Sequence, residues 1–264
     1  DLTFSPMVDV ARDPRWGRIS EGSGEDVLLN AVFGAALVRG YQGDDPSKQG
    51  RIGACVKHFV GYGAALGGRD YQFTELSERA LRETYLPPFK ACVDAGAVSV
   101  MSAFNDISGT PASANALTLD RILRKEWGFK GLMTEDFITD PNYSVLKEAI
   151  HCGVTATCSS GDDSLDAVSA VWPYWTLESV EKDASMMQDI QNGMKYTLYA
   201  IGQSHAIDGL NETSRIEDVR TWYDNALLAV NIVFALLTIA ALAMYLKTIK
   251  KEKMQITVEK SKEE

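Results

Sequence analysis

The chain has 264 residues, of which 45% are hydrophobic and 23% charged, with a formal net charge of −10. This composition supports one large or two small folded domains and excludes a mostly disordered chain. The acidic balance gives no electrostatic basis for nucleic-acid binding, so no nucleic-acid partner is predicted. The chain has only 4 cysteines, too few for a disulfide scaffold.

Strand and helix patterns alternate along the first 160 residues or so. The apolar run 2–10 suits a strand buried on both faces, and 25–39 has helical apolar spacing with acidic residues in its first turn. Further strands are predicted at 52–60, 97–103, 131–135 and 153–158, and further helices at 75–95, 117–127, 143–151 and 178–201. Residues 63–74 form a Gly-rich loop, and Pro87 and Pro88 are expected to bend or break their helix.

This alternation predicts an α/β fold with a parallel sheet. Two architectures are compatible with it: an incomplete (β/α)8 TIM-type barrel whose first strands are missing, and a doubly wound open sheet. A complete barrel takes about 250 residues, and only five strand–helix units are recognisable here. Because the chain also opens with Asp1 directly on a strand pattern, we expect a C-terminal piece of a longer protein.

Polar residues follow each of the first four predicted strands, which favours the barrel. In a barrel the carboxyl ends of the strands meet at one mouth, where active sites lie. Arginine, lysine and carboxylate side chains together suit a ligand rich in hydroxyl groups. The strand-end groups are Asp13, Arg18, Lys57, His58, Arg69, Asp70, Asn105 and Asp136.

Four strand-end motifs occur in order: DPRWGR with SGED, KHFVGYG with GGRD, VMSAFND with GTPASAN, and WGFKG before a carboxylate. Together they resemble glycoside hydrolase family 3, the β-glucosidase type, from residue 1 to about 160. The resemblance implies a (β/α)8 catalytic domain that hydrolyses β-linked glucosides or related sugars, with retention and from the chain end. The cysteines lack zinc-ligand spacing and are expected to be buried, so neither a metal nor a cofactor is predicted.

Carried over to this sequence, the resemblance assigns the nucleophile to Asp136. It assigns sugar binding to Arg18, Lys57, His58 and Arg69, and pocket lining to Met101, Phe104 and Phe137. The residue types alone leave alternatives open. Asp136 could cap a helix, His58 could be a core histidine, and the two arginines could form salt bridges at the barrel rim.

Two departures from the family pattern concern the pocket. Glu135-Asp136-Phe137 stands where the family has Ser-Asp-Trp, and Phe104 replaces a tyrosine. The resemblance implies that the general acid/base comes from a following domain or loop. Because the predicted membrane span follows the barrel directly, we expect this acid to be supplied upstream or to be absent. The sequence therefore leaves two functions: an active glycosidase, or a catalytically impaired surface glycan-binding relative.

Residues 226–246 contain no charge, and 21 helical residues span about 30 Å, the thickness of a bilayer core. A buried core helix is the alternative. Four lysines follow within seven residues, which predicts a cytoplasmic C-terminus and an extracellular catalytic domain. The predicted domains are a partial barrel at 1–205, a linker at 206–225, a transmembrane helix at 226–246 and a basic tail at 247–264. The predicted partners are a carbohydrate substrate and the lipid bilayer.

Overall fold

A computed structural model describes residues 1–70, 72–134, 146–155, 177–204, 211, 213–215 and 221–263. Of residues 146, 147, 177, 179 and 251–263 it describes the backbone alone. The chain divides into two compact units, Asp1–Gly209 and Leu210–Glu264.

The first unit is an α/β structure around a parallel sheet. Strands β1 (Leu2–Thr3), β2 (Gly53–Phe59), β3 (Ser99–Ser102) and β6 (Leu132–Thr134) lie side by side in that order. The short strands β4 (Asp106–Ile107) and β5 (Thr110–Pro111) form a separate antiparallel pair. The spatial order of the sheet therefore follows the chain order among the described residues.

Helices α1 (Val27–Gln42) and α3 (Leu86–Asp94), which connect the first three strands, lie on one face of the sheet. Helix α1 connects β1 to β2, and helix α3 connects β2 to β3. The two helices pack against each other and against β2. Helices on one face are typical of a singly wound sheet, whereas a doubly wound sheet carries helices on both faces.

Helix α1 confirms the helix predicted at 25–39, shifted by two or three residues. The Asp26 side chain caps its first turn by accepting a hydrogen bond from the Leu29 amide at 2.8 Å. The helix ends at Gly43, whose φ of 62° only glycine adopts readily.

The strand predicted at 2–10 is wrong in its extent, since only Leu2–Thr3 is regular. Pro6 has no amide hydrogen to donate, and the Ser5–Pro6 peptide is cis. Met7 then pairs with Lys57, which leaves one extra residue on the first segment relative to the β1 register. Burial is also uneven: Phe4 is 49% exposed, whereas residues 6–11 are buried.

The helix predicted at 75–95 is present but irregular. Helix α2 (Glu78–Ala80) leads through a π-helical segment, Leu81–Tyr85, into α3. Pro87 and Pro88 lie in the first turn of α3, so they do not end the helix. The helix predicted at 117–127 is π-helical over Leu117–Glu126.

In the last part of the first unit, the helix predicted at 143–151 is present over its described residues, whereas described residues 153–155 of the strand predicted at 153–158 form no regular strand. Helix α4 (Leu146–His151) leads to Thr155, whose amide donates to the Met133 carbonyl of β6 at 2.7 Å. The rest of the strand predicted at 153–158 lies outside the described residues. The helix predicted at 178–201 is two helices, α5 (Leu177–Lys182) and α6 (Ala184–Gly202), because Asp183 caps the second.

A buried arginine holds the chain around β6. The Arg124 guanidinium donates to the carbonyls of Phe129 at 3.0 Å, Gly131 at 2.7 Å and Gly153 at 3.1 Å. The guanidinium Cζ of Arg124 lies 3.9 Å from the ring centroid of Tyr196 in α6. Burial lowers the pKa of Arg124 to about 10. The backbone of the segment that leads toward Asp136 is thus held by hydrogen bonds from the Arg124 guanidinium.

The core contains Cys55, Cys92 and Cys152, and all three are buried as expected. Burial raises the pKa of the Cys92 thiol to about 12, so this thiol is unreactive at neutral pH. Cys158 lies outside the described residues.

The second unit is a long helix, α7 (Trp222–Glu263), of 42 residues. Within it, Trp222–Lys250 is long and apolar enough to cross a membrane, and an 18-residue stretch of it has a mean hydropathy of 2.5. Its apolar side chains are exposed, which excludes a buried core helix within this unit. The predicted helix at 226–246 is therefore present, and its insertion into a bilayer remains a proposal.

Candidate active site

The residues predicted to bind sugar come from three segments at one edge of the sheet. Arg18 lies in the loop after the first segment, His58 lies near the end of β2, and Phe104 follows β3. Because the strands are parallel, their carboxyl ends meet at this edge.

His58 is a buried side chain that turns toward this edge. Its Nδ1 lies 2.8 Å from Oδ2 of Asp9. The same oxygen accepts a hydrogen bond from the backbone amide of His58 at 3.1 Å. The pairing of β2 with β3 shifts register between Val56 and Phe59. Strand alternation is thus interrupted at the two residues that the sequence places in the pocket.

Arg18 is held by a carboxylate on its own loop. Its Nε and Nη2 donate to the two oxygens of Glu21 at 2.7 and 2.9 Å, and its Nη1 lies 3.3 Å from Nε2 of His58. The hydrogen bonds from Arg18, and then the charge of half-buried Lys57, lower the pKa of Glu21. The charges of Arg18 and Lys57 therefore act on the same carboxylate.

The aromatic ring of Tyr62 contacts three other rings at this cluster. Its ring lies edge-on to His58, Trp16 and Phe104, with centroids 5.1, 5.2 and 6.4 Å apart. Trp16 is buried. Tyr62 thus contacts the imidazole directly, and Trp16 and Phe104 pack against Tyr62.

The Tyr62 hydroxyl donates a hydrogen bond to Asp70. Burial, and then this carboxylate, raise the pKa of Tyr62, so the hydroxyl stays protonated. Tyr62 is followed by Gly63, where a Cβ would lie 2.5 Å from the Val10 carbonyl oxygen. Only glycine lets this loop pass so close to the first segment.

The structure brings together Arg18, Lys57, His58 and Phe104 but treats the other candidates differently. Met101 is buried on β3, in register with Thr134 of β6. The side chain of Arg69 is exposed and takes no part in the contacts that join Arg18, His58 and Phe104. Asp136 and Phe137 lie outside the described residues.

Asp9 and Tyr62 belong to the cluster, and neither was a sequence candidate. Asp9 carried a signal, because a carboxylate in the apolar run LTFSPMVDV must find a partner if the run is buried. Tyr62 gave no comparable signal. Its role depends on a loop conformation that the residue pattern does not specify.

Two carboxylates near the cluster are held in the ionised form. Hydrogen bonds from Arg15 lower the pKa of Asp13 to about 2. Hydrogen bonds from Arg18 likewise lower the pKa of Glu21. Ionised carboxylates accept hydrogen bonds from hydroxyl groups but have no proton to give at neutral pH. Neither is therefore suited to be a general acid.

The arrangement offers cationic donors, carboxylate acceptors and an aromatic wall within one edge of the sheet. Such a set matches a polyhydroxylated ligand, whose hydroxyl groups both donate and accept and whose ring carbons are apolar.

Comparison with known proteins identifies the family. The model of the glycosyl hydrolase family 3 N-terminal domain matches residues 1–162. A periplasmic β-glucosidase of Salmonella typhimurium is 44% identical over 156 residues, which are 59% of this chain and 20% of that protein. A putative β-xylosidase of Formosa agariphila is 41% identical over 138 residues, or 51% of this chain and 18% of that protein.

Solved structures agree with this assignment. A β-glucosidase from Listeria innocua in complex with glucose matches with a TM-score of 0.68 at 31% identity, covering 85% of this chain and 32% of that one. An exo-1,3/1,4-β-glucanase from Pseudoalteromonas matches with a TM-score of 0.70 at 26% identity, covering 80% of this chain and 27% of that one. The chain belongs to glycosyl hydrolase family 3, and it spans about a fifth of the length of the first sequence relatives.

Proposed function

We propose that this member of glycosyl hydrolase family 3 is part of a membrane-anchored retaining glycosidase. It removes sugars from the ends of glycan chains, acting on β-linked glucosides or related sugars. The observation that carries the proposal is the contact of Arg18 with His58 at the carboxyl edge of the sheet, 3.3 Å apart. The β-glucosidase and β-xylosidase names of the relatives support the sugar class.

Asp136 is the proposed nucleophile, two residues beyond the end of β6. Its carboxylate oxygen would bond to the anomeric carbon as the glycosidic bond breaks, and water would then release the sugar with overall retention. A general acid would protonate the leaving oxygen and later deprotonate the water. Asp13 and Glu21 are held ionised, so neither is proposed as this acid.

Arg18, Lys57, His58 and Arg69 are the proposed sugar ligands. Cations near a carboxylate favour its ionised form, so Arg18 and Lys57 would also help to keep the nucleophile charged. Met101, Phe104 and Phe137 are the proposed apolar lining.

We further propose that the α/β unit is an incomplete (β/α)8 barrel within residues 1–205. The parallel strands lie in the sheet in their chain order, which supports this proposal. It is also supported by β1, which is the outermost strand on its side of the sheet. Helix α1 also leaves apolar side chains exposed, with Leu28 at 70% and Phe33 at 52%. We expect the isolated fragment to be unstable or to aggregate, since open sheet edges and apolar faces invite association.

The membrane anchor is proposed for residues 226–246, after a linker at 206–225. The lysines of the tail at 247–264 support a cytoplasmic C-terminus and an extracellular catalytic domain. The exposed apolar surface of α7 supports the bilayer as its partner.

The alternative function is surface glycan binding without hydrolysis. Two pocket positions favour it: Phe104 and Phe137 stand where the family has tyrosine and tryptophan. Phe104 is half-buried against Tyr62 and carries no hydroxyl to bind a sugar.

The test is an assay of the full-length protein with p-nitrophenyl β-glucoside and β-xyloside, combined with calorimetric titration of glucose and xylose. Hydrolysis of either glycoside supports the enzyme. Sugar binding without hydrolysis supports the alternative, and the absence of both contradicts the two proposals together.

A further inference from the structure

Asp9 is a buried carboxylate that contacts His58. It is 2% exposed and His58 is 1% exposed. One oxygen of Asp9 accepts from both the ring Nδ1 and the backbone amide of His58. The carboxylate therefore fixes the ring relative to its own main chain, which a single contact would leave free to rotate.

The hydrogen bonds of the two ring nitrogens of His58 agree on where the imidazole proton lies. A guanidinium only donates hydrogen bonds, so Nε2 of His58 accepts from Nη1 of Arg18. A carboxylate oxygen only accepts, so Nδ1 is the protonated nitrogen that donates to Asp9. Both partners thus favour the same neutral imidazole.

Arg18 is itself held in one orientation. Glu21 accepts from Nε and Nη2, which leaves Nη1 directed at the imidazole. The planar fork of an arginine makes this arrangement specific. Asp9, His58, Arg18 and Glu21 therefore form a continuous chain of hydrogen bonds, with a carboxylate at each end.

We propose that Asp9 is a positioning residue that acts on the sugar through His58. It holds the imidazole proton on Nδ1, so that the lone pair of Nε2 accepts from Nη1 of Arg18 and keeps the guanidinium in one orientation. The inference rests on the proposed function and deepens it: His58 acts on the sugar by orienting Arg18, which donates to the sugar hydroxyls. Asp9 itself does not touch the sugar.

The first test locates the proton without any substrate. The full-length protein is labelled with 15N-histidine, and the His58→Gln variant identifies the His58 signals among those of the other histidines. The expected spectrum at neutral pH has a protonated Nδ1 and an unprotonated Nε2. A proton on Nε2, or on both nitrogens, overturns the inference.

The second test is a double-mutant cycle with Asp9→Asn and His58→Gln, read as kcat/KM on the p-nitrophenyl glycoside that is hydrolysed. Outer partners of a site residue typically contribute 10- to 100-fold, so Asp9→Asn is expected to lower kcat/KM by about that factor. In the His58→Gln background the same change is expected to have almost no further effect. Additive effects overturn the inference, because they mean that Asp9 does not act through His58.

Asp94→Asn is the matched control, since it makes the same change in an exposed ion pair with Lys90 on α3. It is expected to leave kcat/KM unchanged. If Asp9→Asn fails to fold, the proton position in the wild-type protein still decides. If the wild type neither hydrolyses nor binds glycosides, the proposed function fails, and the spectrum alone decides the inference.

Discussion

Nη1 of Arg18 lies 3.3 Å from Nε2 of His58, and this contact joins the loop after the first segment to the end of β2. Residues 40 positions apart in sequence thus meet at one edge of the sheet. Sequence motifs place both residues at strand ends, and the contact supports placing them in one pocket.

Replacing Arg18 with lysine tests this pocket. Lysine keeps the charge but cannot hold both oxygens of Glu21 while contacting His58. Hydrogen bonds to charged groups contribute about 1.5–3 kcal/mol, so kcat/KM of the full-length protein is expected to fall about 10- to 100-fold. Arg79→Lys makes the same change in an exposed pair with Glu83 and is expected to have no effect. Equal effects of the two variants would remove Arg18 from the site.

The sequence predicted Arg18 and His58 but not what holds them. The motifs identify residue types at strand ends, and these are local properties. The carboxylates of Asp9 and Asp70 act across 49 and 8 residues, on His58 and Tyr62 respectively. Such pairs depend on loop paths, which apolar periodicity does not encode. A buried carboxylate in an apolar run was the one usable signal.

Arg124→Met tests the buried cation near β6. Methionine fills similar space but leaves the carbonyls of Phe129, Gly131 and Gly153 without their donor. The free energy of unfolding is expected to fall on the order of 3 kcal/mol, measured by urea titration of tryptophan fluorescence in the full-length protein.

The matched control for this change is Arg82→Met, which removes an exposed arginine paired with Glu78 and Glu126. Exposed ion pairs contribute little, so its unfolding midpoint is expected to match that of the wild type. A larger loss for Arg82→Met than for Arg124→Met would contradict the assignment.

Two glycine-to-alanine changes are expected to act in opposite directions. At Gly131 a Cβ would lie 2.2 Å from the Val98 carbonyl oxygen, so Gly131→Ala should destabilise the protein by about 1–3 kcal/mol. At Gly40, within α1, a Cβ meets nothing within 4 Å, and alanine is a better helix former. Gly40→Ala should therefore stabilise the protein by up to about 1 kcal/mol. Thermal unfolding of both variants decides, and shifts of the same sign would be inconsistent with the packing before β6.

The fold was predicted better for long periodic elements than for irregular ones. Helix α1 and strand β2 lie close to their predicted bounds because burial and capping agree there. The first strand is shorter than predicted because Pro6 removes an amide hydrogen, and an extra residue shifts the register. The Asp183 cap divides a helix that apolar spacing alone makes continuous. A proline in one case and a side-chain cap in the other therefore set element bounds that apolar spacing does not encode.

The membrane proposal predicts that the full-length protein stays with membranes after alkaline carbonate extraction. Arginine near the centre of a span raises the insertion free energy by about 2.5–3.5 kcal/mol, so Val233→Arg combined with Leu237→Arg should release it. Thr248→Arg adds a charge to the same helix beyond residue 246 and should not. Release of the wild type would mean that the apolar face of α7 is covered by protein.

The most direct test of the central claim is covalent labelling of Asp136 in the full-length protein. A 2-fluoro glucoside with a dinitrophenyl leaving group needs no general acid to react, so the outcome does not depend on where that acid lies. We predict a sugar adduct on Asp136 by peptide mass spectrometry, lost in Asp136→Asn and retained in Asp140→Asn. No adduct, from protein that still binds glucosides, would contradict a retaining glycosidase and favour a surface glycan-binding protein.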